Sequence, residues 1–337
     1  MFCFYMYTHI CCLSYRKSHQ QFTSRRSLLV AMPCEVMAAR VRRCCPNFTF
    51  VDAARSLVVD GTDLSHYVAV DEAWIRIQDE ARSDAEEEPL LLKFYCDLVL
   101  AHPTLESALA AHLAAKLAIP DLLPHAAVHD LLISAFCSDG EIRRAVRADL
   151  RAAVDRDPAC AKMVHCFLYY KGFLALQTHR AAHRLWAEGR RAAALLLQSR
   201  SSEVFAVDIH PAARIGAGVL LDHATGVVVG ETAVVGDDTS ILHGVTLGGT
   251  GKVGGDRHPK IGDGVLVGAG TQILGNVTIG EGAKIGAGSV VLKAVPPRTT
   301  AVGNPARLIG EKENPVRLEK MAGLTMDHTS WSNHDRI

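Results

Sequence analysis

The chain has 337 residues, 49% of them hydrophobic, with 36 Lys/Arg balanced by 36 Asp/Glu. That length allows two ordinary domains with a sizeable core, and a net charge of zero excludes a binder of the nucleic-acid backbone, which needs a basic excess. No apolar run approaches the roughly 18–20 residues of a membrane span, and the apolar stretch Met1 to Leu13 is too short for a secretory signal and lacks its leading basic region.

Residues 1–60 show no clear period and read as a disordered leader. The first 50 residues carry seven Lys/Arg and the single acid Glu35, which is the composition of an organelle import peptide. A leader ahead of a true start at Met32 or Met37 is the other reading. The expected location is therefore cytoplasmic, or plastid or mitochondrion if residues 1–45 are an import peptide. Six of the ten cysteines precede residue 46 and no C-x-x-C occurs, so neither a disulfide framework nor a zinc ribbon is expected.

Residues 61–204 read as a helical domain, rich in Ala, Leu, Arg and Glu with apolar residues at three-to-four spacing. Helices are predicted over 89–101, 105–117, 131–136, 141–154 and 161–197. Thr104 is a predicted N-cap with Glu106 and Ser107 in the first turn. Asp157 before Pro158 reads as a second N-cap.

Residues 205–310 follow a different rule. Aliphatics recur every six residues at Ile209, Ile215, Leu221 and Val227. After a two-residue slip they resume at Val229, Val235, Ile241 and Leu247. After a longer break they keep step at Ile261, Val267, Ile273, Ile279, Ile285 and Val291. A sustained period of six is neither helical nor a simple alternating strand. It marks a hexapeptide β-helix in which each hexad forms one flat side and three hexads one coil of about 18 residues. The break holds LGGTGKVGGDRHPK, a polar Gly-rich loop of the kind that carries function on a rigid scaffold. GGTGK is not a P-loop, because Val253 stands where Ser or Thr is needed and no helix is expected to follow. Residues 311–337 lose the period, turn polar and are expected to be a flexible tail.

VDIHPAARIG (207–216), LDHATGVVVGETAV (221–234), VTLGGTGK (245–252), GGDRHPKIG (254–262), GAKIGAGSVV (282–291) and AVGNPARLIG (301–310) resemble serine acetyltransferase. So do DRDPA and LYYKGFLALQTHR upstream. The resemblance covers about 70–310, and the tail, with TMDHTS and a final Ile337, is similar to the plant type. It implies an N-terminal α-helical domain followed by a left-handed parallel β-helix. The implied activity is acetyl transfer from acetyl-CoA, as co-substrate, to L-serine, with no permanently bound cofactor.

Such chemistry needs a base, an oxyanion donor and a site for a zwitterion. The resemblance makes His223 the base, oriented by Asp208, with Asp222 as an alternative orienter. Asp157 and Asp222 would meet the serine ammonium group, and Arg257 and His258 its carboxylate and hydroxyl end. Gly249 would donate a backbone N–H to the oxyanion. Ala269 and Ala287 would line the pantetheine arm, although corner packing explains them equally. Lys252 would meet a CoA phosphate or be a solvated loop lysine. The resemblance further implies a trimer, paired into a hexamer, and feedback inhibition by L-cysteine. It also implies that Ile337 docks into O-acetylserine sulfhydrylase.

Three rivals compete: an acyltransferase for a sugar or amine, a zinc hydratase using His210, His223, His243 or His258, and a non-catalytic regulator that only docks a partner enzyme, which the presence of His223 and Asp208 disfavours.

Overall fold

A computed structural model describes residues 71–251, 254–310 and 315–329. The leader, Lys252 and Ile337 lie outside the described residues.

The helical part begins with α1 (Glu72–Glu87), capped by Asp71, whose Oδ1 accepts from Trp74 N at 3.3 Å. Trp74, Ile77, Ala81 and Ala85 fall at helical spacing and are buried. The predicted helix over 89–101 is three short turns in succession. A 3₁₀ turn (Pro89–Leu91) leads into α2 (Leu92–Tyr95) and a π turn (Cys96–Leu100). α3 (Leu105–Leu117) starts as expected, with Thr104 Oγ1 accepting from Ser107 N at 3.2 Å. α4 (His125–Ser138) and α5 (Gly140–Arg156) follow.

The predicted run over 161–197 is three helices rather than one: α6 (Met163–Tyr169), α7 (Lys171–Ala187) and α8 (Arg191–Phe205). Tyr170, at φ −80° and ψ 102°, separates the first two, and Gly189, at φ 79°, lies in the turn before α8. Asp157 is not an N-cap. It is the C-cap of α5, donating its backbone N–H to Ala153. The next helix begins only at Met163, so Asp157 Oδ1 instead accepts from Ala159 N at 2.8 Å across the intervening turn.

Among the described residues, fifteen strands then build three faces. The first stacks β1 (Val207–Ile209), β4 (Val227–Val229), β7 (Thr246–Gly248), β10 (Gln272–Leu274) and β13 (Val290–Val291). The second stacks β2 (Arg214–Ile215), β5 (Val234–Val235), β8 (Lys260–Ile261) and β11 (Thr278–Ile279). The third stacks β3 (Leu220–Leu221), β6 (Ser240–Ile241), β9 (Leu266–Val267), β12 (Lys284–Ile285) and β14 (Thr300–Gly303). Neighbours on each face are parallel, and only the closing strand β15 (Ala306–Leu308) runs antiparallel, against β14. The result is a parallel β-solenoid of about five coils. Every predicted hexad aliphatic is buried except Ile215, which is half-buried.

The register measures the coil. Val228 pairs with Thr246 and Gln272 with Val290, eighteen residues apart. Val207 pairs with Val227, two residues more, and Leu247 pairs with Ile273, eight more. The two-residue slip and the long break are thus both insertions at corners.

Residues 315–329 do not trail away as a tail. Gly323 N donates to Gly264 O at 2.7 Å, Ser240 Oγ donates to Gly323 O at 2.7 Å, and Ala322 is buried. Gly323 permits this contact because a Cβ there would stand 2.7 Å from Asp238 O.

Helices and solenoid meet through buried charge. Arg180 on α7 holds the Asp149 carboxylate of α5 through Nε and Nη2, at 2.7 to 3.0 Å. The same pair reaches the first coil, with Val219 N donating to Asp149 Oδ1 at 2.9 Å and Arg180 Nη2 donating to Gly216 O at 2.7 Å. Arg156, at the end of α5, donates to Asp238 Oδ1 at 2.8 Å on the second coil. Breaking one partner of a buried pair strands the other in a low dielectric. Arg180→Met should therefore lower stability by about 3–5 kcal/mol, read by chemical denaturation. A change below about 1 kcal/mol would show that the pair does not hold the junction.

Candidate active site

The sequence-predicted residues collect at two corners of the solenoid. At the first corner the chain turns from the third face into the first. In successive coils Gly226, Gly244, Gly270 and Gly288 turn it there, each with φ between 67° and 76°. Their N–H groups bond Ala206, Thr225, His243 and Ala269 of the preceding coil, respectively. Ala269 therefore sits one coil beyond His243 in the same column, and Ala287 precedes Gly288 in the next. The two small residues flank one track along the edge.

The two-residue insertion falls at this corner. It is accommodated by His223 (φ 55°) and Ala224 (φ 57°), two non-glycine residues in the left-handed region. That conformation costs about 1–2 kcal/mol per residue, and such strain concentrates at functional sites. The turn lifts His223 off the prism, and its side chain is 74% exposed. The neighbouring Asp222 lies with Oδ1 3.9 Å from Nε2. The His243 ring stands edge-on to His223, with centroids 5.8 Å apart. Asp208, on β1, pairs in register with Val228, and its Oδ1 accepts from Gln198 Nε2 at 2.7 Å.

The helical part delivers Asp157 toward this corner. Tyr170 OH donates to Asp157 Oδ2 at 2.8 Å, and Lys171 Nζ donates to Thr225 Oγ1. Burial, followed by the Asp157 carboxylate, pushes the Tyr170 phenol above its usual range, so it remains a donor. Gly172 makes the approach possible, since a Cβ there would stand 2.0 Å from Leu221 O and 3.1 Å from Ala224 Cβ. The start of α7 thus seats directly on the strained turn.

The second corner follows β7, where the eight-residue insertion lies. Gly249 packs against Arg257, whose Cγ and carbonyl oxygen would be 3.5 Å from an added Cβ. Arg257 Nη2 donates to Glu231 Oε2 at 2.7 Å, which holds the Glu231 carboxyl below its ordinary value. The buried His258 ring lies on the backbone of Gly230, where a Cβ would be 2.0 Å from Cδ2. Thr232 N donates to His258 Nδ1 at 3.1 Å. Burial first, then Arg257, pushes the His258 imidazole below its ordinary pKa and keeps it neutral.

Sequence reading missed Tyr170, Lys171, Glu231 and Thr232. Tyr170, Glu231 and Thr232 each touch a predicted residue from a distant position, Lys171 touches Thr225 two residues after His223, and nothing local in the sequence marks such pairs. Among the described residues, no three His, Cys, Asp or Glu side chains converge as a metal ligand set.

This architecture has known counterparts. The family model for the serine acetyltransferase N-terminal region matches residues 73–178, and that for the bacterial transferase hexapeptide (six repeats) matches residues 258–293. Probable serine acetyltransferase 4 of Oryza sativa subsp. japonica is 68% identical over 265 residues, 78% of this chain and 84% of that protein. Serine acetyltransferase 1, chloroplastic, of Arabidopsis thaliana is 61% identical over 268 residues, 78% of this chain and 85% of that protein. The solved structure of soybean serine acetyltransferase complexed with serine is 64% identical with a TM-score of 0.69, covering 70% of this chain and 97% of its own.

A methyl group at residue 230 has no room beside the His258 ring. Gly230→Ala should expel the imidazole into water, and the His258 pKa should rise toward its ordinary value because burial is the main cause of its depression. Histidine titration followed by NMR checks this, and an unchanged titration would show that the ring does not depend on Gly230.

Proposed function

The chain belongs to the serine acetyltransferase family, and from that premise we propose how its own residues carry the reaction. As an acyltransferase it moves the acetyl group of acetyl-CoA to the hydroxyl of L-serine. The products are O-acetyl-L-serine and CoA, in the committed step of cysteine biosynthesis.

His223 takes the proton from the serine hydroxyl as its oxygen attacks the thioester carbonyl. The tetrahedral oxyanion is met by the Gly249 N–H. Collapse breaks the carbon–sulfur bond, and the thiolate leaves with the proton that His223 had taken. Asp157 and Asp222 receive the serine ammonium group. Arg257 receives its carboxylate, and His258 lies at the carboxylate and hydroxyl end. Asp208 is the family's orienter of the imidazole, and Asp222, 3.9 Å away, is a second candidate. The pantetheine arm runs along the edge marked by Ala269 and Ala287.

The observation that carries this reading is the strained turn at His223. It spends an insertion and two left-handed residues on presenting one imidazole beside Asp222, with the Asp157 turn anchored against it through Gly172. Serine-dependent release of the CoA thiol from acetyl-CoA tests the function, and release that is independent of serine would contradict it.

The two corners lie at opposite ends of β4. His223 precedes that strand and His258 covers Gly230 just after it. Three residues of strand separate them by about 10 Å, and the corners face different directions around the prism. The family resemblance implies a site shared between copies, and this separation supports it, with the first corner of one copy meeting the second corner of its neighbour. A trimer closes such contacts, and pairing through the helical parts would make a hexamer.

Two further proposals concern residues outside those described: a sulfhydrylase engaging the tail, which rests on the family resemblance, and import through residues 1–45, which rests on their basic, acid-poor composition. The Arabidopsis relative named chloroplastic favours import over a cytoplasmic location.

His223→Ala should lower kcat by about 10²–10⁴-fold, the usual contribution of a positioned base, with serine binding less affected. Turnover within a few-fold of the parent would remove His223 from that role. L-cysteine carries the ammonium and carboxylate groups of serine and should compete with it. Initial rates at low serine should fall with added cysteine and recover at high serine; rates insensitive to saturating cysteine would contradict shared recognition.

A further inference from the structure

We propose that Thr232 is the positioning residue of the second corner, setting Arg257 and His258 together through one hydroxyl and one backbone N–H. The proposal rests on the reading of Arg257 and His258 as serine contacts, and its test separates the two.

Thr232 lies on the coil beneath the inserted loop, just before β5. Its Oγ1 accepts from Arg257 N at 3.0 Å and from His258 N at 3.1 Å, and stands 2.8 Å from His258 Nδ1. Its N–H donates to the same Nδ1 at 3.1 Å, and its carbonyl accepts from Lys260 Nζ at 2.9 Å. One residue thus holds consecutive backbone amides, the ring between them and the lysine beyond. Lys260 closes the loop from the far side, donating to His258 O at 2.7 Å and to Asp256 Oδ1 at 2.5 Å. Asp256 Oδ2 accepts from Asn276 Nδ2 at 3.2 Å.

The chemistry follows from donor and acceptor roles. A backbone N–H can only donate, so His258 Nδ1 must accept. The neutral ring then carries its proton on Nε2, which has no partner among the described residues. Nε2–H is left as a donor for an oxygen of the substrate. Protonating Nδ1 would set two N–H groups against each other. Charged neighbours weigh on the same balance. Arg257, Lys260 and His210 favour the neutral ring together with burial, and Glu231 opposes them.

Neighbouring residues do different work. Glu231 holds only the guanidinium of Arg257, and Gly230 only clears space for the ring. Thr232 ties the Arg257 backbone and the His258 backbone and ring to one reference point. A displacement of about 1 Å in a positioned group can cost on the order of 100-fold in rate. Orienting partners one step removed from a ligand typically contribute about 10–100-fold where this has been measured, at metal sites.

The test compares Thr232→Val, which keeps the shape and the N–H, with Thr232→Ser, which restores the hydroxyl. Thr232→Val should lower kcat/KM for serine by about 10–100-fold and leave the KM for acetyl-CoA unchanged. The His258 titration should move up toward its ordinary value as the loop loosens. Thr232→Ser should recover both. Wild-type serine efficiency together with a wild-type His258 titration in Thr232→Val would overturn the proposal. If the valine variant does not fold, the tautomer of His258 in the unaltered chain, read by ¹⁵N NMR, decides: a neutral ring with its proton on Nδ1 overturns it. If serine kinetics survive Arg257→Ala while Thr232→Val still shifts the His258 titration, Thr232 holds the loop as proposed. The assignment of Arg257 to the serine carboxylate then fails instead.

Discussion

An eighteen-residue coil governs this molecule. Each face contributes an aliphatic to a continuous interior stack, and Val227, Val245, Val265, Val267, Ile273 and Ile279 are sealed completely. Parallel pairing from coil to coil uses the backbone groups of one turn to satisfy the next. Extra residues cannot be absorbed inside such a stack without breaking the register of every later coil. They must be extruded at a corner. The chain does this twice, by two residues at His223 and by eight after Gly248. Both extrusions carry reactive or charge-bearing side chains. Both departures leave from and return to paired strands of the stack.

The helical part adds what a solenoid alone cannot. The strained turn itself supplies one carboxylate, Asp222, beside His223. Asp157 comes from the end of α5, and the buried Asp149–Arg180 pair determines where that end lies relative to the coils. A buried ion pair is weak evidence for stability, because desolvation offsets much of the attraction. Its directional bonds are the relevant property here. Val219 N–H donates to Asp149, and Gly216 O and Ile215 O accept from Arg180, so the pair is held in one orientation. Gly172 then lets α7 settle against Leu221 and Ala224, so the helical part and the strained turn form one surface.

Much of this was legible in the sequence, and what was not has a physical cause. The period of six identified the buried face residue by residue, because a solenoid core is set by local spacing. The slip between Val227 and Val229 was visible as a phase change, but only the strand pairing of the structure places the insertion ahead of Val227, at His223. Thr104 was readable as a cap because its partner is three residues away. Asp157 misled for the same reason that it is useful. Asp before Pro suits a helix start, yet the following residues form a turn, and the carboxylate serves Ala159 and Tyr170. The tail read as flexible because its composition is polar. Its docking depends on Gly323 meeting the backbone of Gly264, a fit between surfaces far apart in sequence. Thr232 gave no signal, since threonine in a hexad is ordinary until the loop 25 residues later folds over it.

The proposed site is divided between corners of neighbouring chains. It is tested most directly by co-expressing a His223→Ala chain with an Arg257→Ala/His258→Ala chain and assaying the purified mixed oligomers. Each parent lacks one half of every site. A shared site regenerates intact pairs where His223 of one copy faces Arg257 and His258 of another. The mixed oligomers should then recover a substantial fraction of unaltered turnover, well above either parent. Activity equal to the weighted sum of the parents would contradict the account and place both corners' work within a single chain.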